Sequence, residues 1–227
     1  MKHVEILSIN IGKPRQVQFN NKEVSTGIFK NPTKKTLFLS TLNFEGDGQA
    51  DLVHHGGRDK AVCVYPAEYY PFWENELQKT LEYGAFGENI TTRGLLESDV
   101  NIGDIFKLGD AVVQVTQPRQ PCYKLSVKYG KLDLPQKVQE TGYTGFYFRV
   151  LEEGVVSKSD SLIKTHSHPK AISVAFANHI MHREKDQIES MKKILEVEEL
   201  SQNWRIRFLK RLEGTEVDSQ IRLTGKQ

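Results

Sequence analysis

Cys122 is the residue whose type and surroundings most clearly point to chemistry. It follows the segment 118–121, which begins and ends with proline, and a short helix is predicted over residues 122–129. Each proline fixes its own φ angle and restricts the residue before it, so the loop presents the thiol at a defined position. The positive end of the predicted helix and the side chains of Arg119 and Lys124 favour the thiolate form.

A thiolate at this position has more than one chemical use. It is a nucleophile, and it is also a soft ligand for a transition metal. The remaining interpretation is a buried structural cysteine, which is the common state of a thiol outside a disulfide. The local pattern does not choose among these three. Cys63, in contrast, lies in the apolar run 61–65 and is predicted to be a core residue of a strand, without chemistry.

A second candidate segment, 51–60, combines adjacent glycines with basic side chains. Gly56 and Gly57 permit positive φ angles, which allow backbone N–H groups to converge on an anion. Arg58 and Lys60 add charged donors suited to phosphate. The alternative is an ordinary glycine turn with a solvated basic rim. The two histidines before the glycines also suggest zinc, but no second ligand pair stands at the spacing of a zinc site.

The loop 87–89 offers polar side chains that suit a heterocycle. Glu88 and Asn89 are able to hydrogen-bond such a ligand, and they are equally able to satisfy the ends of neighbouring strands. Glu88 and Asp99 together suggest acid–base chemistry, but nothing in the sequence fixes the distance between their carboxylates.

The elements that must position these residues are predicted to be mainly β-strands up to about residue 165. A tight hairpin is predicted at 108–111, and regular strand–helix alternation is absent, which argues against a doubly wound parallel sheet. A folded β-barrel with short helices at 67–78 and 134–140 fits the pattern better. The strand-like runs are 3–11, 36–39, 61–65, 104–108, 111–116 and 145–150.

The pattern changes to helical spacing after residue 165. Ser167 or His168 before Pro169 is a typical start of a helix. Three short amphipathic segments follow and end at Gly214, and none is long enough to be stable alone. We therefore predict a β-barrel domain over 1–165, a small all-α three-helix domain over 166–214, and a tail over 215–227.

Composition limits the function classes. The 227 residues carry 31 Lys and Arg against 29 Asp and Glu, a net charge of +2. Such a balance gives no overall electrostatic case for a nucleic acid polymer or an anionic membrane as partner. The first residues lack the apolar stretch of a signal peptide, and no run is long enough to span a bilayer. Two cysteines without a CxxC pair suit a reducing compartment, so we expect a cytoplasmic protein.

Taken together, these segments resemble the MOSC family, named for the C-terminal domain of molybdenum cofactor sulfurases. The resemblance is carried by an ordered set of short motifs rather than by any one of them. The predicted helical region is similar to the three-helix domain of the stand-alone bacterial branch of this family, so the resemblance covers nearly the whole chain. The motifs lie at 48–51, 55–65, 86–89, 99–104, 116–119 and 121–125.

The resemblance implies roles for individual residues. Cys122 is implied to be both the catalytic residue and the sulfur ligand of molybdenum. Other residues are implied to bind the molybdopterin: Arg119 grips its phosphate or pterin and Asn89 orients its pterin. The residues implied to line the pterin and phosphate pocket are His55, Gly56, Gly57 and Lys60.

The stand-alone branch also implies an activity. It resembles enzymes that detoxify N-hydroxylated compounds, including hydroxylamino base analogues, by reducing the N–O bond with release of water. No flavin, haem or iron–sulfur signature is visible, because two cysteines cannot hold a four-cysteine cluster. Electrons are therefore expected from a separate redox partner protein. The chain has no room for the pyridoxal-phosphate domain of the sulfurases, so that cofactor is not expected.

Two alternatives of other classes stay open. The first is a sulfur carrier that holds a persulfide on Cys122 for metal–sulfur assembly. The second is a non-catalytic binding module that docks through its helical region. A hydrolase with a Cys122 nucleophile lacks a positioned base in the sequence. The amphipathic helices also leave a homodimer possible.

Overall fold

The computed structural model describes residues 4–51, 56–216 and 220–225. Strands form where β-branched and aromatic residues are concentrated, as in the runs VCVYP and FYFRVLE. The strands are β1 (Glu5–Ile11), β2 (Arg15–Phe19), β3 (Lys22–Thr26), β4 (Asn31–Thr33), β5 (Leu37–Leu39), β6 (Val62–Pro66), β7 (Ile90–Arg93), β8 (Ile105–Leu108), β9 (Ala111–Pro118), β10 (Phe146–Glu152), β11 (Gly154–Val156) and β12 (Leu162–His166).

Eight of these strands form one sheet in the order β12-β8-β9-β10-β6-β7-β1-β4. The β6–β7 pair is parallel, and the other pairs in the sheet are antiparallel. The predicted hairpin is confirmed, since Leu108 pairs with Ala111. Two smaller sheets, β11-β5 and β2-β3, complete the strand pairing of the described residues.

The sheet curls into a half-barrel because its register shifts at several points. Shifts occur between Ile6 and Ser8 in β1, and between Tyr147 and Phe148 in β10. Such irregularities bend a strand and increase its twist. The prediction of a β-rich MOSC-type fold is confirmed, but the term "mainly β" was too strong, because 28% of the chain is helix and 29% is strand. The C-terminal helices and the short helices between strands account for this share.

Short helices lie between strands along the chain, and further helices form the C-terminal region. The predicted helix 67–78 is present as a 3-10 turn, Ala67–Tyr69, followed by the first α-helix. The predicted helix at 134–140 is also confirmed. The helices are α1 (Tyr70–Leu77), α2 (Lys124–Tyr129), α3 (Leu134–Thr141), α4 (Val174–His182), α5 (Ile188–Leu195), α6 (Gln202–Leu212) and α7 (Gln220–Thr224).

The start of α4 differs from the prediction. Pro169 lies in a turn, closed by a hydrogen bond from the Ala171 N–H to the His168 carbonyl at 3.0 Å. The helix begins after Ser173, whose side chain accepts a hydrogen bond from the Phe176 N–H at 3.1 Å. The Ser167/His168–Pro169 signal was wrong because Ser173 supplies the N-terminal cap that the proline does not. The Asp104 carboxylate holds the turn by accepting from the His168 N–H at 2.8 Å.

The helical region and the sheet share one hydrophobic core. Phe106 and Val115 of the sheet belong to the same buried cluster as Ile180 of α4 and Trp204 and Phe208 of α6. The predicted tail, 215–227, contains α7. Within the described ranges 4–51, 56–216 and 220–225, no helix is long and apolar enough to cross a membrane.

We expect Trp204→Ala to lower the free energy of unfolding by about 3–5 kcal/mol, because the fully buried indole fills the shared core. Leu209→Ala is the matched control on the same helix, since Leu209 is 44% exposed, and it should cost less than about 1 kcal/mol. Urea unfolding followed by tryptophan fluorescence and by circular dichroism measures both variants. Separate transitions for sheet and helices in the wild type would contradict a shared core.

Candidate functional site

The candidate site is a pocket of about 540 Å³, counting the space open to solvent, lined by residues of the strands and of the loops between them. Four of the residues implied by the family resemblance line it together: Lys60, Asn89, Arg119 and Cys122. They come from segments far apart in the sequence. The other lining residues are Thr26, Gly27, Ile28, Lys30, Gly48, Gln49, Ala50, Cys63, Gly87, Lys124 and Tyr147.

Cys122 lies between the end of β9 and the start of α2. The Arg119 N–H donates to the Gly145 carbonyl at 2.9 Å, which extends the β9–β10 pairing into the proline loop. The Leu125 N–H donates to the Cys122 carbonyl at 3.0 Å, and the side chain of Leu125, the second residue of α2, is fully buried. The thiol-bearing residue is thus fixed from both sides, and it is 6% exposed. The prediction of a short helix after the proline-bounded loop is confirmed, but the helix begins at Lys124, so Cys122 lies in the loop before it rather than in its first turn.

Arg119 supplies a buried positive charge beside this thiol. The residue is 7% exposed, and its Nη1 has no hydrogen-bond partner among the described residues. Burial lowers the pKa of the guanidinium, but the nearby Cys63, Tyr147 and Cys122 side chains outweigh that effect and raise it above its ordinary value. The guanidinium therefore stays cationic. A buried cation with an unused donor at a pocket wall is suited to an anionic ligand.

Three lysines also line the pocket, and they are held differently. Lys30 forms an ion pair with the buried Asp47 carboxylate. Lys124 is the first residue of α2 and is 8% exposed. Burial lowers the pKa of Lys60 to about 8, although Asp59 and Asp51 act in the opposite direction. Lys60 is therefore charged at neutral pH and able to lose its proton under mildly alkaline conditions.

The 3-10 turn Arg58–Lys60 brings Lys60 to the pocket. Thr116 of β9 donates to the Asp59 carbonyl at 2.7 Å. The Asp59 carboxylate forms an ion pair with Arg149 of β10 at 2.8 Å and accepts from the Gln202 N–H of α6 at 3.1 Å. The turn is thus fastened to the sheet and to the helical region at once.

The glycines before this turn stand apart from the pocket lining. Gly57 has a φ angle of 90°, as expected for a glycine-dependent turn, and its carbonyl accepts from the Lys60 N–H at 3.0 Å. The structure places neither Gly56 nor Gly57 among the lining residues. His55 lies outside the described residues. A contact of these three with a pterin or a phosphate stays a prediction.

The Asn89 side chain connects three segments of the chain beside the pocket through hydrogen bonds to Cys63, Asn10 and Asp47. Its Oδ1 accepts from the Cys63 N–H at 3.0 Å. Its Nδ2 donates to the Asn10 carbonyl at 3.3 Å and to Asp47 at 2.8 Å. Both amide hydrogens are engaged within the protein, so the remaining lone pair on Oδ1 is what the side chain offers to a ligand. Its implied role in orienting a pterin stays a prediction.

Glu88 has a structural role in the folded chain. Its carboxylate accepts from the Tyr70 hydroxyl at 2.5 Å, from the Thr91 hydroxyl at 2.8 Å, and from the Gly84 and Phe86 N–H groups, both at 2.9 Å. Four donors saturate a fully buried carboxylate. The interpretation that Glu88 satisfies neighbouring backbone is confirmed. Asp99 also caps its own turn, where its carboxylate accepts from the Leu96 N–H at 3.0 Å.

Sequence analysis missed several lining residues. Cys63, predicted to be inert core, lies in the pocket wall, and burial raises the pKa of its thiol to about 11. Cys63 therefore remains protonated at neutral pH. Tyr147 and Lys30 belong to none of the motifs found in the sequence. Only the alternation of side chains along the β10 run, with Tyr147 between two phenylalanines, hinted that one face differs.

Comparison with known proteins agrees with this architecture. The MOSC domain profile matches residues 51–163, and the profile of the YiiM-like 3-alpha helix domain matches residues 172–215. YflK of Bacillus subtilis strain 168 is 54% identical over 206 residues, which cover 91% of this chain and 93% of YflK. The crystal structure of YiiM from Geobacillus stearothermophilus is 42% identical, with a TM-score of 0.79, over 92% of this chain and 99% of that one.

A more distant relative has a functional name. A protein of Gibberella moniliformis strain M3125 / FGSC 7600 named "Reductase" is 36% identical over 144 residues, which are 62% of this chain and 26% of that protein. The two profiles agree with YflK and with YiiM of Geobacillus stearothermophilus, both of which are matched over most of their length. The chain belongs to the MOSC-domain family, in the branch of stand-alone bacterial proteins with a YiiM-like three-helix C-terminal domain.

Proposed function

We propose that this protein binds the molybdenum cofactor through Cys122 and reduces N-hydroxylated compounds, such as hydroxylamino base analogues, with electrons from a separate redox protein. The observation that carries the proposal is the buried Arg119 guanidinium, which has an unpartnered Nη1 and lies beside the Cys122 thiol. A soft ligand and an unused cationic donor in one pocket match a metal held by an anionic organic group.

The donor set fits such a cofactor in three respects. Cys122 is the thiol at the pocket wall that would ligate molybdenum. Arg119, Lys60 and Lys124 would bind the phosphate and the pterin oxygens. Among the described residues, the Lys30 ammonium is paired with the buried Asp47 carboxylate, whereas Arg119 keeps an Nη1 without a hydrogen-bond partner that an anionic ligand would accept from.

When bound, the molybdenum centre supplies the two-electron chemistry. The residues of the chain do the rest. Arg119 balances negative charge beside Cys122, and the apolar walls at Ile28 and Ala50 limit access of water. Conversion of R–NHOH to R–NH2 and water consumes two electrons and two protons. Lys60, with a pKa of about 8, is suited to deliver a proton from its Nζ near neutral pH.

The electron source would lie outside the described pocket. The relative named a reductase is matched over only 26% of its length. The matched region is therefore a minor part of a longer protein. This chain would receive its electrons from a separate redox protein.

We expect protein from cells that make the cofactor to contain near-stoichiometric molybdenum, and Cys122→Ala to contain none, because the metal loses its sulfur ligand. Cys63→Ala is the matched control: it alters the same pocket wall but removes a thiol that stays protonated, so its molybdenum content should equal that of the wild type. Elemental analysis measures the metal, and reduction of a hydroxylamino purine with an artificial electron donor measures activity.

Two outcomes would count against the proposal. Equal molybdenum in wild type and Cys122→Ala would remove Cys122 as the ligand. Absence of molybdenum from all three proteins, with sulfane sulfur on Cys122 by mass spectrometry, would favour the sulfur carrier instead, since the Arg119 charge stabilises a persulfide anion as well.

We also expect anion binding to depend on pH through Lys60. Lys60 carries its charge below about pH 8 and loses it as pH rises through 8, so affinity for an anion should fall above that value. Lys60→Met should bind sulfate roughly tenfold more weakly at pH 7 and lose this pH dependence. Isothermal titration at constant ionic strength measures it, because sulfate does not change charge in this range.

The exposed Lys107 provides a matched control, and Lys107→Met should behave as the wild type. If Lys60→Met keeps the affinity and the pH dependence of the wild type, Lys60 does not bind the anion.

A further inference from the structure

The C-terminal helix α7 contacts the loop that carries Cys122. The backbone carbonyl of Arg222 accepts from the Tyr123 N–H at 2.9 Å. The Nη1 of the same arginine donates to the Pro121 carbonyl. Pro121 and Tyr123 immediately precede and follow Cys122 in the sequence. A single residue of α7 therefore holds the backbone on both sides of the functional cysteine.

Arg222 is itself anchored at a third point. Its Nη2 donates to Oε1 of Gln139 in α3 at 2.6 Å. The guanidinium thus bridges α3 and the cysteine loop, and donors on a charged group make stronger hydrogen bonds than neutral donors. Because α7 has only five residues, it depends on such contacts rather than on its own helical stability.

Gly225 brings the end of α7 against the ring of Tyr123. A Cβ atom at this position would lie 2.8 Å from the ring carbons Cγ and Cδ2, and the φ angle of Gly225 is +68°. Glycine is therefore required for this approach. The packing of Gly225 and the hydrogen bonds of Arg222 are independent contacts, and both engage the residues that flank Cys122.

Arg222 and Gly225 lie outside the regions matched by the two family profiles, 51–163 and 172–215, whereas their partners Pro121, Tyr123 and Gln139 lie within the first of them. We propose that Arg222 is a positioning residue for the Cys122 thiol, and that α7 is consequently part of the candidate site. The inference rests on the proposed function only in taking Cys122 as the functional thiol. The geometric claim holds for a metal ligand and for a sulfur carrier alike.

The test is the rate at which iodoacetamide alkylates Cys122 in the full-length, metal-free protein, measured by peptide mass spectrometry. Cys63 in the same molecule is the internal reference, because it lies in the same pocket but outside the loop held by Arg222. Loss of two charge-assisted hydrogen bonds should let the loop open more often, so Arg222→Ala should raise the Cys122 rate roughly tenfold and leave the Cys63 rate unchanged.

A double-mutant cycle and a conservative variant separate positioning from general loosening. Gln139→Ala should raise the Cys122 rate less than Arg222→Ala, and the double variant should match Arg222→Ala alone, because Gln139 acts through Arg222. Arg222→Lys keeps a charged donor and should therefore raise the Cys122 rate less than Arg222→Ala does. Gly225→Ala should also raise the Cys122 rate, because the added Cβ displaces α7 from the Tyr123 ring although the arginine itself is retained.

Arg183→Ala is the matched control. The Arg183 guanidinium also donates to a backbone carbonyl at the end of α3, that of Glu140, but not to the cysteine loop. Cys122 in the Arg183→Ala variant should be alkylated at the wild-type rate. The proposal is overturned if Arg222→Ala and Gly225→Ala leave the Cys122 rate unchanged, or if Cys63 accelerates together with Cys122.

This result is independent of the molybdenum measurement. A Cys122→Ala protein that keeps its molybdenum defeats the proposed function but leaves the alkylation rates, and the role of Arg222 in holding the loop, as they are. Conversely, unchanged alkylation rates defeat the role of Arg222 and leave the metal assignment intact.

Discussion

Antiparallel pairing of β9 with β10 determines where the candidate site lies. The register that places Phe146 opposite Pro118 continues past the strand, since the Arg119 N–H still bonds to β10's preceding residue, Gly145. The proline loop therefore leaves the sheet in one direction and brings Cys122 against the wall formed by Tyr147. If this pairing slipped by one residue, every side chain of one strand would move to the opposite face. Core and pocket residues would then exchange places.

Charge is the second constraint on this pocket. Burying a cation is costly unless it is paired, and the fold meets that cost for Lys30 with the buried carboxylate of Asp47. Arg119 receives no such carboxylate partner among the described residues, and its Nη1 is left unbonded. A ligand that brings negative charge into the pocket supplies the missing partner. The same imbalance that costs stability would therefore favour the binding of an anion.

Local patterns in the sequence were enough to predict much of the fold. The prolines around Arg119 predicted the rigid loop, and the hairpin residues 108–111 predicted the β8–β9 turn, because each depends on backbone preferences of a few adjacent residues. The false start of α4 at Pro169 shows the limit of such signals. The Asp104 carboxylate holds His168 in a turn, and the helix begins only after Ser173, so a long-range contact overrode the local proline signal.

The pocket was only partly predictable for a different reason. Cys63, Tyr147 and Lys30 reach it from three separate strands or loops, and their meeting depends on sheet order rather than on spacing in the sequence. The contact of Arg222 with Pro121 spans 101 positions. No periodicity in the sequence connects residues at that separation. These members of the site could therefore be identified only from the three-dimensional structure.

The helical region is bound to the same site by several polar contacts. The Ser201 N–H donates to the Thr116 carbonyl at 3.1 Å, and Arg149 donates to the Glu199 carbonyl at 2.9 Å while pairing with Asp59. Asp59 in turn lies beside Lys60. Gln202, the first residue of α6, donates its N–H to the Asp59 carboxylate at 3.1 Å and so stabilises the turn that carries Lys60. Since the sheet and these helices also share one apolar core, the helical region is a structural support for the site, and displacement of α6 would alter the pocket without touching any residue in it.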